Sequence, residues 1–412
     1  MSDPAVDEGE ELESLELEGL ELEECELEEE SGVIALSDPD ITQAELDAVD
    51  AVMRTSRLSN GPVVEKFEHA FREYLGRKYA IAVPSGTIGL MLTLLGMEIG
   101  PGDEVICTPY SFREVQHAID LAGARPVFVD IDYWAGTIVP EKAQKAITEK
   151  TKAIIGSNNN GHPAPWPALR ETIKGTRIAL IEDCTESIGS KLGDKVVGTF
   201  GDVSVFDFAQ PSLLTCGEGG MIVTDDVDIA VAARRYRSHR LDELNSIVVT
   251  TAPSMQAQMS DISAALGLTQ LNRLEEILEK RRLIEHFYFK HVSSFEGIKD
   301  PYTAPGVTEA HWFLYLVHLG TRFSKSSRDG IIEDLRVEDV EAQAYCTTPL
   351  HLQRRYFDLG YRKGGFLVTE KVADRAVALP FHSHLTEDQI EFIVATMKDA
   401  SINIGAGSAI YL

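Results

Sequence analysis

Residues 79–97 read Tyr79-Ala80-Ile81-Ala82-Val83-Pro84-Ser85-Gly86-Thr87-Ile88-Gly89-Leu90-Met91-Leu92-Thr93-Leu94-Leu95-Gly96-Met97. The apolar run Tyr79–Val83 is short and is closed by a proline, which predicts a buried strand. Ser85-Gly86-Thr87 is a small-residue turn, and the apolar stretch from Ile88 to about Glu98 predicts a helix. A strand, a tight turn and a helix in succession present backbone N–H groups at a helix N-terminus, which is a seat for an anion.

The same alternation continues outward. Helical spacing covers residues 38–56 and 63–75 upstream. Downstream, Glu104–Thr108 and Pro126–Asp130 predict strands on either side of a helix at Arg113–Leu121, and Ala153–Gly156, Ile178–Ile181 and Val203–Phe206 continue the strand series. Repeated strand–helix alternation predicts an α/β fold, a mostly parallel sheet covered by helices. Ligands of such sheets sit beyond the C-terminal strand ends. That rule gathers Ser85–Thr87, Pro109–Phe112, Glu182–Glu186 and Asp207–Gly220 around one site. After Ser260 the texture changes to a helix at Ile262–Leu274, a charged helix through Phe289, a strand-like His311–His318 and a last helix at Glu387–Ala400. The expected organisation is a tail at 1–32, a large domain at 33–270 and a smaller α+β domain at 271–412.

The chain has 412 residues and a net charge of −28. Fifteen acids and no Lys or Arg fall in residues 1–32, which leaves 51 acids against 38 bases for the rest. A surface of this sign repels nucleic acid and anionic membranes. No apolar run reaches the ~18–20 residues that span a bilayer. The acidic start is unlike a secretory signal. Five scattered cysteines without a CxxC pair predict free thiols in the cytoplasm. No metal site is expected. In the tail, leucines spaced alternately by three and two form no stripe on a helix or a strand. A solvated, disordered tail is the expectation, with docking of a basic protein partner as the sharper alternative.

Taken in order, a set of motifs resembles the DegT/DnrJ/EryC1/StrS family, the sugar aminotransferases of PLP fold-type I. The set comprises Leu58-Ser59-Asn60-Gly61-Pro62, Phe67-Glu68, Ser85-Gly86-Thr87, Gly102-Asp103-Glu104-Val105, Pro126-Val127-Phe128-Val129-Asp130, Ile181-Glu182-Asp183, Gly201-Asp202-Val203, Gly217-Glu218-Gly219-Gly220, Ala264-Ala265-Leu266-Gly267, Pro349-Leu350-His351 and Leu379-Pro380. It covers residues 33 to about 400. The resemblance implies PLP or PMP as cofactor, a nucleotide-sugar as substrate and a homodimer whose site is shared between subunits. It also implies Asp183 at the ring nitrogen, Phe112 stacked on the ring, the amides of Gly86 and Thr87 at the phosphate, and residues 254–260 as a cross-subunit loop.

Against that pattern, the family's Schiff-base lysine aligns with Ser212, five residues before Gly217. A serine hydroxyl forms no Schiff base and is a poor proton carrier. The family's phosphate-binding serine is Asp207, its cross-subunit asparagine is Gln256, and its usual glutamine after the aspartate is Glu186. Asp207, Glu186, Asp183 and Glu114 together predict an acidic pocket suited to an amine, a guanidinium or a hard cation, with the alternative that some of these carboxylates face solvent or pair with Arg113. Three functions stay open. One is an enzyme holding PLP or PMP non-covalently, with His162 or Glu186 as base. Another is an enzyme of the same fold that works without PLP. The third is a non-catalytic regulatory partner of an active paralogue.

Overall fold

The computed structural model describes residues 32–59, 61–238, 253–293 and 298–406, with the side chains of residues 113, 405 and 406 left aside. Of the acidic tail at 1–32, for which disorder was expected, residues 1–31 lie outside the described residues. Strands β1 (Tyr79–Val83), β2 (Glu104–Cys107), β3 (Arg125–Phe128), β4 (Thr151–Ser157) and β5 (Ala179–Asp183) follow one another along the chain. A hairpin of β6 (Lys191–Leu192) and β7 (Lys195–Val196) comes next, then β8 (Val203–Asp207) and β9 (Gly220–Thr224). Seven of these nine form one sheet in the order β1-β9-β8-β5-β4-β2-β3. β9 runs against the other six strands, which are parallel to one another.

Alternation along β1 explains the layers. Ala80 and Ala82 pack with Phe67 and Phe71 of helix α2 (Pro62–Leu75), while Ile81 and Val83 pack with Leu90 and Leu94 of helix α3 (Gly86–Gly96). Successive side chains of a strand point to opposite faces, so one apolar pentapeptide serves two cores. On the α2 side Phe71 meets Phe206 edge-on, with ring centroids 4.9 Å apart. Helix α3 begins two residues earlier than the apolar run suggests, because Ser85 Oγ accepts the N–H of Ile88 and caps it. Helix α2 is capped from afar. The buried carboxylate of Asp261 accepts the N–H groups of Gly61, Val63 and Val64 at 2.7, 2.9 and 3.3 Å.

A second sheet joins Ile298–Lys299, Tyr315–Leu319 and Ala376–Leu379, with the helices Lys325–Val337 and Glu387–Ser401 packed on its own apolar core. The strand here starts at Tyr315, later than the expected His311. The amides of His311 and Leu314 go instead to Ser190 Oγ and Asn160 Oδ1, both at 2.9 Å. Ile34–Leu412 cohere as one compact unit. No helix among the described residues is long and apolar enough to cross a membrane.

Candidate functional site

Asp183 ends β5 and Asp207 ends β8, and the register of these parallel strands pairs Asp183 with Val205. Register partners share a face and so do residues two apart, so Asp183 and Asp207 project from the same face of the sheet, roughly 8 Å apart at Cα. It is the face that α3 covers, since a Cβ on Gly89 of α3 would lie 2.8 Å from Val205.

The head of α3 meets Asp207 directly. Asp207 Oδ2 accepts the N–H of Gly86 at 2.6 Å, and Oδ1 accepts that of Ala209 at 2.8 Å. A side chain on Gly86 would collide with this carboxylate, its Cβ lying 2.8 Å from Oδ2. Gly220 is equally constrained, because a Cβ there would lie 2.8 Å from the Gly86 nitrogen. The Gly-Glu-Gly-Gly motif thus lets β9 slide between the ends of β1 and β8. Burial pushes the Asp207 carboxyl up, and the nearby charges of Glu114 and Glu218 add to the effect against the two amides.

Asp183 is buried and accepts both the N–H and the hydroxyl of Thr185, at 3.1 and 2.6 Å. Burial outweighs these bonds and raises its carboxyl above the ordinary range. Glu186 is 4% exposed. Burial pushes it up to about 8, assisted by the charges of Asp183 and Glu114 and opposed by hydrogen bonds from Tyr345 and Asn160. Those two donors, Tyr345 Oη and the Asn160 amide, both serve Oε2, while Oε1 is buried with no partner among the described residues. Tyr110, 1% exposed, lies with its ring 5.4 Å from that of Tyr345, and its hydroxyl also has no partner among the described residues.

Phe112 is the N-cap residue of helix α4 (Arg113–Leu121) and meets Phe313 edge-on at 5.8 Å. Ser212 is half-buried in the loop from β8 to β9, which is closed by the Phe208 N–H on the Gly219 carbonyl at 2.8 Å. Ser212 makes no hydrogen bond among the described residues. Thr87 is half-buried in the first turn of α3.

Two expected participants lie apart from this group. His162 is fully engaged: Nδ1–H donates to the Pro163 carbonyl at 2.9 Å, and Nε2 accepts the Ala304 amide at 3.0 Å. Burial lowers its pKa, and the ring lines a separate cavity of about 300 Å³ with Thr137, Glu141 and Tyr302. An imidazole with both nitrogens held by backbone has no lone pair to offer as a base. Gln256 is exposed, in a left-handed conformation at φ 51°, with its amide on Ser254 Oγ.

The asparagine run before His162 carries more of the architecture than the histidine does. Asn158 accepts from the Ala164 amide and the Trp166 indole and donates to Glu182. Asn159 donates to the Tyr110 and Gly136 carbonyls. Asn160, left-handed at φ 50°, bonds Glu186 through its amide and Leu314 through its side chain. Glu182, fully buried on the opposite face of β5, takes five donors, from Asn158, Gly198, Phe200, Gly201 and Ser204. These partners are far apart in sequence, and only the run of three asparagines hinted at a polar scaffold.

A mostly parallel sheet with its acidic residues at the strand ends beside a glycine-bounded helix head defines the PLP fold-type I class of architecture. Within that class, the profile of the DegT/DnrJ/EryC1/StrS aminotransferase family matches residues 39–398, and the chain belongs to this family. It is 33% identical over 370 residues to an uncharacterized protein of Methanocaldococcus jannaschii, covering 87% of this chain and 95% of that one. It is 29% identical over 371 residues to the spore coat polysaccharide biosynthesis protein SpsC of Bacillus subtilis, covering 88% and 95%. A Streptococcus pneumoniae protein described as a sugar aminotransferase, solved in its PMP form, superposes with a TM-score of 0.85 at 26% identity, covering 92% of this chain and 100% of that one.

Proposed function

We propose that this chain serves nucleotide-sugar or related small-molecule biosynthesis as a homodimeric, ligand-binding member of its family that works without a covalently held PLP. The observation that carries the reading is the carboxylate of Asp207 on the Gly86 amide at 2.6 Å. The family resemblance puts the cofactor phosphate at this helix head. A phosphate there would meet a carboxylate instead of a hydroxyl. At about 4 Å, with an effective dielectric near 20, each pair of like unit charges costs about 4 kcal/mol. On this reading the residues present do not fit the phosphate group. Ser212 removes the covalent anchor as well, and with His162 engaged, Glu186 is the remaining proton carrier of the group.

Titration with PLP and with PMP, followed by visible absorbance, tests the reading. The expected result is no saturable coloured complex, and a tight one overturns it. Ser212→Lys alone is expected to stay colourless, whereas Ser212→Lys combined with Asp207→Ser is expected to take up PLP. Uptake by the single variant would show that Asp207 does not close the phosphate seat.

A regulatory role beside an active paralogue is favoured by one further observation, the fifteen acids without a base in residues 1–32. Capture of a basic partner subunit by the full chain, lost on deletion of residues 1–32, is the expected result. Unchanged capture removes the tail from that role.

A further inference from the structure

The cavity of about 300 Å³ beside His162 plays no part in the proposed function. It lies among the loops that follow β3 and β4, together with the segment at 302–307. Ile138, Val139, Leu192 and Val307 give it apolar walls, and its volume suits one small ring-bodied molecule. Thr137 also lines it, is 3% exposed, and makes no side-chain hydrogen bond among the described residues. Buried hydroxyls are almost always bonded, so this one calls for a partner from the cavity.

The charged and aromatic groups narrow the class of ligand. Asp132 and Glu141 line the cavity, and no lysine or arginine does. Asp132 uses Oδ1 for the amides of Trp134 and Ala135, at 2.9 and 2.8 Å, and Oδ2 makes no hydrogen bond among the described residues. Glu141 is exposed and in no ion pair among the described residues, whereas its neighbour Lys142 lies 3.4 Å from Asp130. His162, kept neutral by burial, adds no positive charge. The Tyr302 ring lies nearly parallel to that of His162, at 8° with centroids 6.3 Å apart, and Trp134 stands 6.3 Å from Tyr302. Tyr302 and Trp134 are 39% and 46% exposed, so much of each ring stays open.

We propose that this cavity is a second ligand site, which takes an arylalkyl ammonium: its ring against the apolar walls, a polar ring substituent on Thr137, and its ammonium beside Tyr302 and the carboxylates of Asp132 and Glu141. An ammonium gains from both carboxylates and from an open aromatic face. The inference is independent of whether PLP binds at the strand ends.

The test is isothermal titration of the full chain with tyramine, using 4-ethylphenol and 4-hydroxyphenylacetate as its neutral and anionic counterparts. Saturable binding of tyramine is expected, weakened by added salt, with weaker binding of the neutral analogue and none of the anion. Glu141→Gln and Asp132→Asn should each weaken tyramine binding roughly threefold, as exposed ion pairs do. Thr137→Val should weaken it roughly fivefold, the loss of one hydrogen bond. Glu186→Gln, at the strand-end site, should leave it unchanged. No binding of tyramine, or equal binding of all three compounds, overturns the proposal. A loss with Glu186→Gln but not with Glu141→Gln places the amine at the strand ends and overturns it too.

Discussion

Replacing Glu186 by glutamine should make the protein more stable at alkaline pH, the reverse of the usual effect of altering a buried residue. Burial and the charges of Asp183 and Glu114 push this carboxyl up to about 8 against an ordinary 4.5. One pH unit of displacement corresponds to about 1.36 kcal/mol, so the ionised carboxylate is disfavoured in the folded state by on the order of 5 kcal/mol. The folded state therefore keeps a proton that the unfolded chain has lost between about pH 4.5 and 8. Stability falls as pH rises through that window, and the whole penalty is present above it.

Glutamine is neutral throughout. Its carbonyl oxygen can take the place of Oε2, which accepts from Tyr345 and Asn160, leaving the amide at the Oε1 position. At pH 5, where Glu186 is protonated, the two proteins should melt together. At pH 9 the variant should melt higher. Unfolding entropy near 2.1 cal/mol/K per residue gives roughly 0.9 kcal/mol per kelvin for a chain of this size, so the gap should be about 5–6 °C. Differential scanning calorimetry at pH 5, 7 and 9 measures it. Parallel melting curves across this range would refute the assignment of a raised, buried carboxyl to Glu186.

Other perturbations have equally definite signs. Glu182→Ala strands five donors in a dry layer and should cost roughly 3–5 kcal/mol by urea denaturation, whereas a loss below 1 kcal/mol would mean water replaces the carboxylate. Asp261→Ala removes the remote cap of α2 and should cost about 1–2 kcal/mol, measured the same way; an unchanged midpoint would deny it that role. Acid should act through Arg273, which binds Asp40 and Glu45 at 2.6 and 2.7 Å. Burial works against ionisation of both acids, but hydrogen bonds from Arg273 and their other partners outweigh it and hold each at about 2. Their stabilisation is complete above the ordinary carboxylate range and disappears as pH falls toward 2, so Arg273→Leu should flatten the acid limb of the stability profile. An acid limb as steep as that of the unaltered protein would assign it to other carboxylates.

The fold was legible because its signals are local. Tyr79–Val83 is apolar on both faces and bounded by proline, which leaves a buried strand as the economical reading, and the parallel order follows from strand–helix alternation. The positions of Asp183, Glu186 and Asp207 were legible for the same reason, since each stands at a strand end or in the turn that follows, whereas Glu114 lies in the first turn of α4. What escaped was the identity of their partners. Tyr345 reaches Glu186 across 159 residues and Asp261 reaches Gly61 across 200. No periodicity encodes such pairings, which arise only when the sheet order brings two loops together. His162 misled because a histidine in a strand-end loop has the right residue type and position for a base. Its suitability depended on two backbone groups, Pro163 O and Ala304 N, and sequence spacing says nothing about either.

The turn Ser85-Gly86-Thr87 presents the sharper question of why an anion seat stands beside a residue that repels anions. A helix head does not distinguish phosphate from carboxylate, because both offer negative oxygens to the same N–H groups. Asp207 brings its own anion from the end of β8, one strand beyond β9, so the Gly86 amide is satisfied from within the chain, and Gly86 is still required because a Cβ would strike the carboxylate. The motif and the altered residue are thus one structural unit. A short Ser-Gly-Thr turn is consistent with phosphate binding; on the proposed reading, the residue that ends β8 decides whether the seat is open. Exchanging Asp207 for serine should free the Gly86 amide and allow inorganic phosphate to raise the melting temperature of that variant. The unaltered protein should show no such response. A phosphate effect of equal size in both would place the anion elsewhere and dissolve the link between the turn and Asp207.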